Sequence, residues 1–291
     1  MKKLLSMGLA ALFLAGCAQP APAPVVAPTP DIEEAESYVE TAEEPANRLE
    51  SILESGVLTM VTAPGFAPFT FVDPRLSGQE SIVGSDLAFG RFIAERLGVE
   101  LDIQTMDFPS SLAAVQMGTV DINLGGISWT QERTEAMMLS TPYNPGVGFQ
   151  GIILDVERAE ELSTAGDFDG LTIAVQNGTL QYNLLIEQLP EAVPQLVTAV
   201  PEGILMVLGG QVDGLAIPSE VGDGFISNYP QLIMSDFQFD HVNTGQVMAM
   251  PLGSYELFEA MEEIIAYVIE NDLYATWFAE ALALSEELTL D

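Results

Sequence analysis

The chain has 291 residues, 48% of them hydrophobic, with 43 acidic against eight basic residues and a net charge of −35. Such a surface repels nucleic acid and anionic lipid headgroups, which argues against both as partners. One cysteine and one histidine exclude an internal disulfide and argue against a transition-metal site, and no metal or cofactor is expected.

Residues 1–16 carry Lys2 and Lys3, an apolar run from Leu4 to Ala15, and Gly16. This has the form of a secretory signal, and the run is too short to span a bilayer. Leu14-Ala15-Gly16-Cys17 resembles the lipobox of bacterial lipoproteins, which implies that Cys17 is acylated; a signal with an incidental cysteine is the alternative. Residues 17–46 are rich in Pro and Ala and then acidic, a composition that gives an extended tether. No other segment approaches about 20 apolar residues, so the remainder is expected outside the membrane, exported and tethered by its lipid at the extracytoplasmic face (periplasm or cell surface). Both lysines lie in the signal, which leaves six arginines to balance 43 acids. The self-repulsion this creates is relieved by salt and suits a saline habitat, although acid-rich solubility alone accounts for it equally well.

Beyond Gly56, short β-rich runs alternate with helical ones. Residues 57–61 read as a strand, 86–97 as a helix ended by Gly98, 99–104 as a strand, 110–117 as a helix and 120–124 as a buried strand. That βαβαβ order predicts a parallel, doubly wound sheet. The pattern starts again with strands at 171–175, 193–200 and 212–217 around helices at 180–188 and 202–208, which predicts two lobes. The closing segment, 255–278, reads as helical, with Met261, Ile264, Ile265 and Val268 as a core-facing stripe.

Several short motifs fall in order along this frame. Gly65-Phe66-Ala67-Pro68-Phe69-Thr70-Phe71 is followed by Gly84-Ser85-Asp86, then Val120-Asp121-Ile122, Gly125-Gly126-Ile127-Ser128-Trp129-Thr130-Gln131-Glu132-Arg133 and Thr141-Pro142-Tyr143. Val175-Gln176-Asn177-Gly178-Thr179, Gly210-Gln211-Val212-Asp213 and Asn271-Asp272-Leu273-Tyr274 with Trp277 complete the series. Together they resemble the polar-amino-acid family (family 3) of ABC-transporter solute-binding proteins over residues 48–280. The resemblance implies an α/β, two-lobed periplasmic-binding-protein-like fold of type II, each lobe a doubly wound sheet flanked by helices, joined by two hinge strands. Lobe I would comprise 47–144 and 247–291, and lobe II 145–246. The ligand would lie in the cleft, outside the carboxyl ends of the strands.

The resemblance assigns Arg133 to a ligand carboxylate, for which a guanidinium supplies a planar two-pronged donor; a surface ion pair with Glu132 or Glu135 is the plainer reading. Ser128 would add a hydroxyl and an N–H, Gly126 close main-chain approach, and Thr179 the start of a helix from the other lobe, against simple turn and cap chemistry. Phe66 and Phe108 would wall the pocket, against an ordinary place in the core. Trp129 is expected in apolar packing, Asp86 as a structural acid, and His241 on a solvent-facing loop. Where the family presents an aspartate for the ligand's ammonium this chain has Pro218 and Ser219; either Glu220 takes over on a shifted loop, or the ligand has no α-ammonium there. Residues 63–65 carry no acid to meet a cationic side chain.

The function implied is capture of a small carboxylate-bearing solute, an amino acid, by a monomer that delivers it to an ABC permease. The alternatives are a dehydratase-like enzyme on the same fold acting on a prephenate-like carboxylate, and a ligand-binding sensor subunit. No HExxH, GxSxG or P-loop is present.

Overall fold

The structure, a computed structural model, describes residues 47–289 apart from 145 and 147. The expected signal segment, Cys17 and the expected tether lie outside the described residues. Among those described, no helix is long and apolar enough to cross a membrane.

Helix α1 (Arg48–Ser55) starts where the Asn47 side chain accepts the Glu50 N–H and stops at Gly56, in the left-handed region at φ 70°. There follow β1 (Val57–Thr62), the hairpin β2 (Phe71–Val72) and β3 (Ile82–Val83), α2 (Ser85–Leu97), β4 (Glu100–Thr105), α3 (Phe108–Gln116), β5 (Ile122–Asn123), α4 (Gln131–Ala136) and β6 (Met137–Leu139). The chain then crosses to β7 (Gln150–Asp155), β8 (Thr172–Gln176), α5 (Leu180–Gln188), β9 (Val193–Val197), α6 (Val200–Leu208), β10 (Gly214–Pro218), α7 (Ser219–Asn228) and β11 (Leu232–Gln238). It returns to β12 (Ala249–Pro251), α8 (Tyr255–Glu270) and α9 (Leu273–Thr289).

Two five-stranded sheets result, in the orders β4-β1-β5-β12-β6 and β9-β8-β10-β7-β11. The first three strands of each are parallel, which corrects the expectation of a purely parallel sheet only at the fourth place. There, β12 and β7 run antiparallel to their neighbours. Each is the strand that has just arrived from the other lobe, so it enters beside the third parallel strand from the opposite direction. The crossing segments run side by side, with bridges pairing Gln246 with both Ser128 and Asn144.

A repeated device anchors both sheets. In Gly118-Thr119-Val120-Asp121, the aspartate accepts the Thr59 N–H and an Arg48 N–H, each at 2.8 Å. In Gly210-Gln211-Val212-Asp213, it accepts the Thr172 N–H at 2.8 Å and an Arg158 N–H at 2.9 Å. In each lobe the turn before the third parallel strand is thereby tied to the first, which fixes where both strands end.

The first lobe's core joins Leu58, Met60, Leu87, Phe89 and Ile93 to Met261, Ile264, Ile265 and Val268 of α8, the stripe expected from sequence. Two expectations are corrected. The strand at 120–124 is reduced to β5, because Val120 and Asp121 belong to the anchoring turn. The segment 255–278 is two helices, because Asn271 caps α8 and Asp272 turns at φ 53°, sending α9 back onto α2.

Candidate cleft between the lobes

The carboxyl ends of β1, β5, β8 and β10 face one another across the gap. The lining includes Phe66, Phe108, Gly126, Ser128 and Arg133 from the first lobe and Thr179 and Glu220 from the second, so every ligand-site residue expected from sequence reaches one cleft. Phe69, Asn144, Gln150, Gln181, Asn243 and Gln246 also line it and were not singled out from the sequence. Phe69 sits within a quoted motif. The amides carried no signal, because glutamine and asparagine are ordinary surface residues and only the hinge brings these together.

Arg133 is 8% exposed, on the short helix α4 begun by the Thr130 cap. Its guanidinium donates to the Ser128 carbonyl at 2.6 Å and, across the gap, to the Gly178 carbonyl at 3.1 Å. Its Cζ lies 5.5 Å from the Phe108 ring centroid. The alternative of an ion pair with Glu132 or Glu135 is not realised, and among the described residues no carboxylate lies within ion-pair distance of Arg133. Burial pulls its pKa down to about 10, partly offset by the charge of Glu132, which still leaves it cationic at neutral pH. A buried cation met by two carbonyl dipoles and an aromatic ring, with no carboxylate beside it among the described residues, is an unsatisfied demand for an anion.

Ser128 offers its carbonyl to Arg133, while its hydroxyl makes no hydrogen bond among the described residues. Thr179 caps α5: its hydroxyl donates to the Gln176 carbonyl at 2.7 Å and accepts from the Tyr182 N–H at 3.3 Å. What α5 presents to the cleft is therefore the N–H end of its first turn.

Gly126, at φ 68°, lies so close to Phe66 that a Cβ there would fall 2.4 Å from the ring. Its N–H donates to Asp86 at 2.9 Å. Asp86 is fully buried, as the expected structural acid, and also accepts from the hydroxyls of Tyr143 and Tyr274. Burial pushes its pKa up to about 6, against the lowering effect of those three donors. Phe108 is held by a relay in which Asn123 donates to the Ser111 hydroxyl and Ser111 to the Phe108 carbonyl. Phe66 stacks on Phe69 at 5.5 Å between centroids.

Glu220 stands in the first turn of α7, not on a loop. One carboxylate oxygen accepts weakly from Asn243 at 3.4 Å; the other is buried with no partner among the described residues. Burial raises its pKa, with the charge of Asp223 adding to the effect. Trp129 is 42% exposed, which corrects its expected place in packing: the chain turns there from the hinge bridge into the Thr130 cap and leaves the indole outside. His241 is half-buried instead of solvent-facing, and burial lowers its pKa.

The molecule thus has two α/β lobes and a cleft at the carboxyl ends of both sheets, with a guanidinium in it that has no acidic partner among the described residues. The profile of the bacterial extracellular solute-binding proteins, family 3, matches residues 58–280. The chain belongs to that family. Among solved structures, this solute-binding protein is similar to an amino acid ABC transporter substrate-binding protein from Streptococcus pneumoniae bound to L-arginine. That likeness has a TM-score of 0.76 at 29% identity and covers 81% of this chain and 98% of the other. A probable histidine-binding protein of Campylobacter jejuni is 25% identical over 177 residues, 60% of this chain and 65% of its own length. A cyclohexadienyl dehydratase of Pseudomonas aeruginosa is 31% identical over 97 residues, 33% of this chain and 35% of its own.

Proposed function

We propose that this protein is the substrate-binding component of an ABC importer, closing around an amino acid. The observation that carries the reading is Arg133, a buried guanidinium in the cleft with no acidic partner among the described residues. The ligand's carboxylate takes its remaining N–H groups, the Ser128 hydroxyl and the α5 amides, while Phe66 and Phe108 cover the ligand and exclude water. The free oxygen of Glu220 accepts from the ligand's ammonium.

Because Arg133 belongs to one lobe and α5 to the other, a bound carboxylate stabilises the closed state over the open one, and capture and closure are one event. The moving bodies are residues 47–144 with 247–291 and residues 145–246. The protein acts as a monomer, its lipid on Cys17 and its tether over 17–46, and presents closed lobes to a permease. Support comes from the family's extracellular character and from relatives named as binding proteins.

Calorimetric titration with free amino acids is the test, and micromolar binding without turnover is expected. Arg133→Ala should weaken binding by roughly 100-fold, about 2.8 kcal/mol, with an unchanged melting temperature. Unchanged affinity would remove the carboxylate anchor, and product formed from prephenate would replace transport by catalysis.

A further inference from the structure

The cleft holds more polar equipment than a carboxylate and an ammonium need. Gln150 and Gln181 are 4% and 7% exposed, line the cleft and share one hydrogen bond, from Gln181 Nε2 to Gln150 Oε1 at 2.5 Å. A primary amide offers two N–H donors and a carbonyl acceptor. One shared bond leaves the Gln150 amine and the Gln181 carbonyl without a protein partner among the described residues. Turning both amides over only exchanges their roles, so the remainder is the same: one amine and one carbonyl, side by side. Neither atom is closed off from the cleft, so both remain open to an occupant that both accepts and donates.

Position and charge narrow the occupant. Gln181 lies three residues beyond Gly178, whose carbonyl holds Arg133. Gln150 pairs in register with Pro218, from which the chain runs on into Glu220. The amides therefore sit on the second lobe's wall between the cationic and the acidic ends of the cleft. Among the described residues, Arg133 is the one cation of the lining and Glu220 the one carboxylate. An amino acid's own carboxylate and ammonium occupy both, and a further charge on its side chain would be buried unpaired, at a cost of several kcal/mol.

We propose that the cleft selects a zwitterionic amino acid whose side chain ends in a neutral group that both donates and accepts, a carboxamide or ureide, and that Gln150 and Gln181 read that group. The inference rests on the reading of the cleft as an amino-acid site. It separates this chain from its pneumococcal neighbour, whose structure holds L-arginine.

The test titrates the full chain with glutamine, asparagine, citrulline, glutamate, arginine and methionine, the last a near-isostere of glutamine without its hydrogen bonds. One of the three neutral amides should bind on the order of 100-fold more tightly than arginine, glutamate or methionine. In Gln181→Leu and, separately, Gln150→Leu that preference over methionine should fall to within about threefold, while methionine binding persists and shows that each variant is folded. Arginine, glutamate or methionine binding as tightly as the best amide overturns the inference but leaves the amino-acid receptor standing, provided that binding still needs Arg133. Retention of the preference in both variants overturns the role of the glutamines. No binding by any of the six sinks the receptor reading itself.

Discussion

Two buried acids show how environment sets the work of a side chain. Glu220 is half-buried with one oxygen unpaired among the described residues, and the cost of that oxygen is recovered only when a donor arrives. Glu220→Gln should therefore weaken amino-acid binding by about tenfold or more in calorimetry while leaving, or slightly raising, the melting temperature of the ligand-free protein. Asp86 has its donors already, and its pKa stands at about 6 against an ordinary 3.8. The folded state thus holds the proton more tightly than the unfolded one. The stability linked to this proton is complete below about pH 4, falls as pH rises from about 4 to about 6, and is level above. Asp86→Asn has no such proton, so the wild-type advantage over the variant should shrink across that window in melts at stepped pH. A constant difference would mean that Asp86 stays ionised throughout. Arg133 was legible in the sequence because a scarce arginine inside a motif stands out; Gln150 and Gln181 were not, because their meaning lies in being adjacent to each other.

The Gly125-Gly126 turn is the element on which the first lobe's side of the cleft depends. It leaves β5, is held from behind by Asp86, and supports the Phe66 ring in front. Gly126→Ala would place a Cβ in that ring from a backbone already at φ 68°. The backbone alone costs about 1 kcal/mol, which in a protein of this size lowers the melting temperature by roughly 2–4 °C. The displaced ring adds a loss of ligand affinity, seen in titration as a weaker dissociation constant than stability alone explains. Helices α5 and α6 and strands β1, β4 and β8 were readable from periodicity within a residue or two at each end, and α8 at its start only. The two-residue β5 was not, because pairing with β1 and not hydrophobic pattern ends it, nor was the break at Asp272, where polar residues fit a helix surface and a turn alike.

For the whole molecule, 43 acidic residues face six arginines beyond residue 16. Of these arginines, Arg48, Arg75 and Arg158 form ion pairs, Arg96 lies over the Tyr267 ring, and Arg91 donates to the Ile82 carbonyl. Most acids therefore repel one another with no local partner. At 1 M salt the screening length falls to about 3 Å, so the urea midpoint should rise between dilute buffer and molar sodium chloride; equal midpoints would show that the repulsion is already negligible. The amino-acid sequence by itself determined the α/β alternation, its doubling into two lobes and the family, because hydrophobic period, turn residues and ordered short motifs are all local. Only the tertiary structure decided that each sheet takes its fourth strand from the returning chain, that Arg133 meets carbonyls from both lobes and, among the described residues, no acid, and that two glutamines 31 residues apart form one polar pair. Those are contacts across a hinge, and no local pattern encodes which buried group will be left without a partner once the two halves come together.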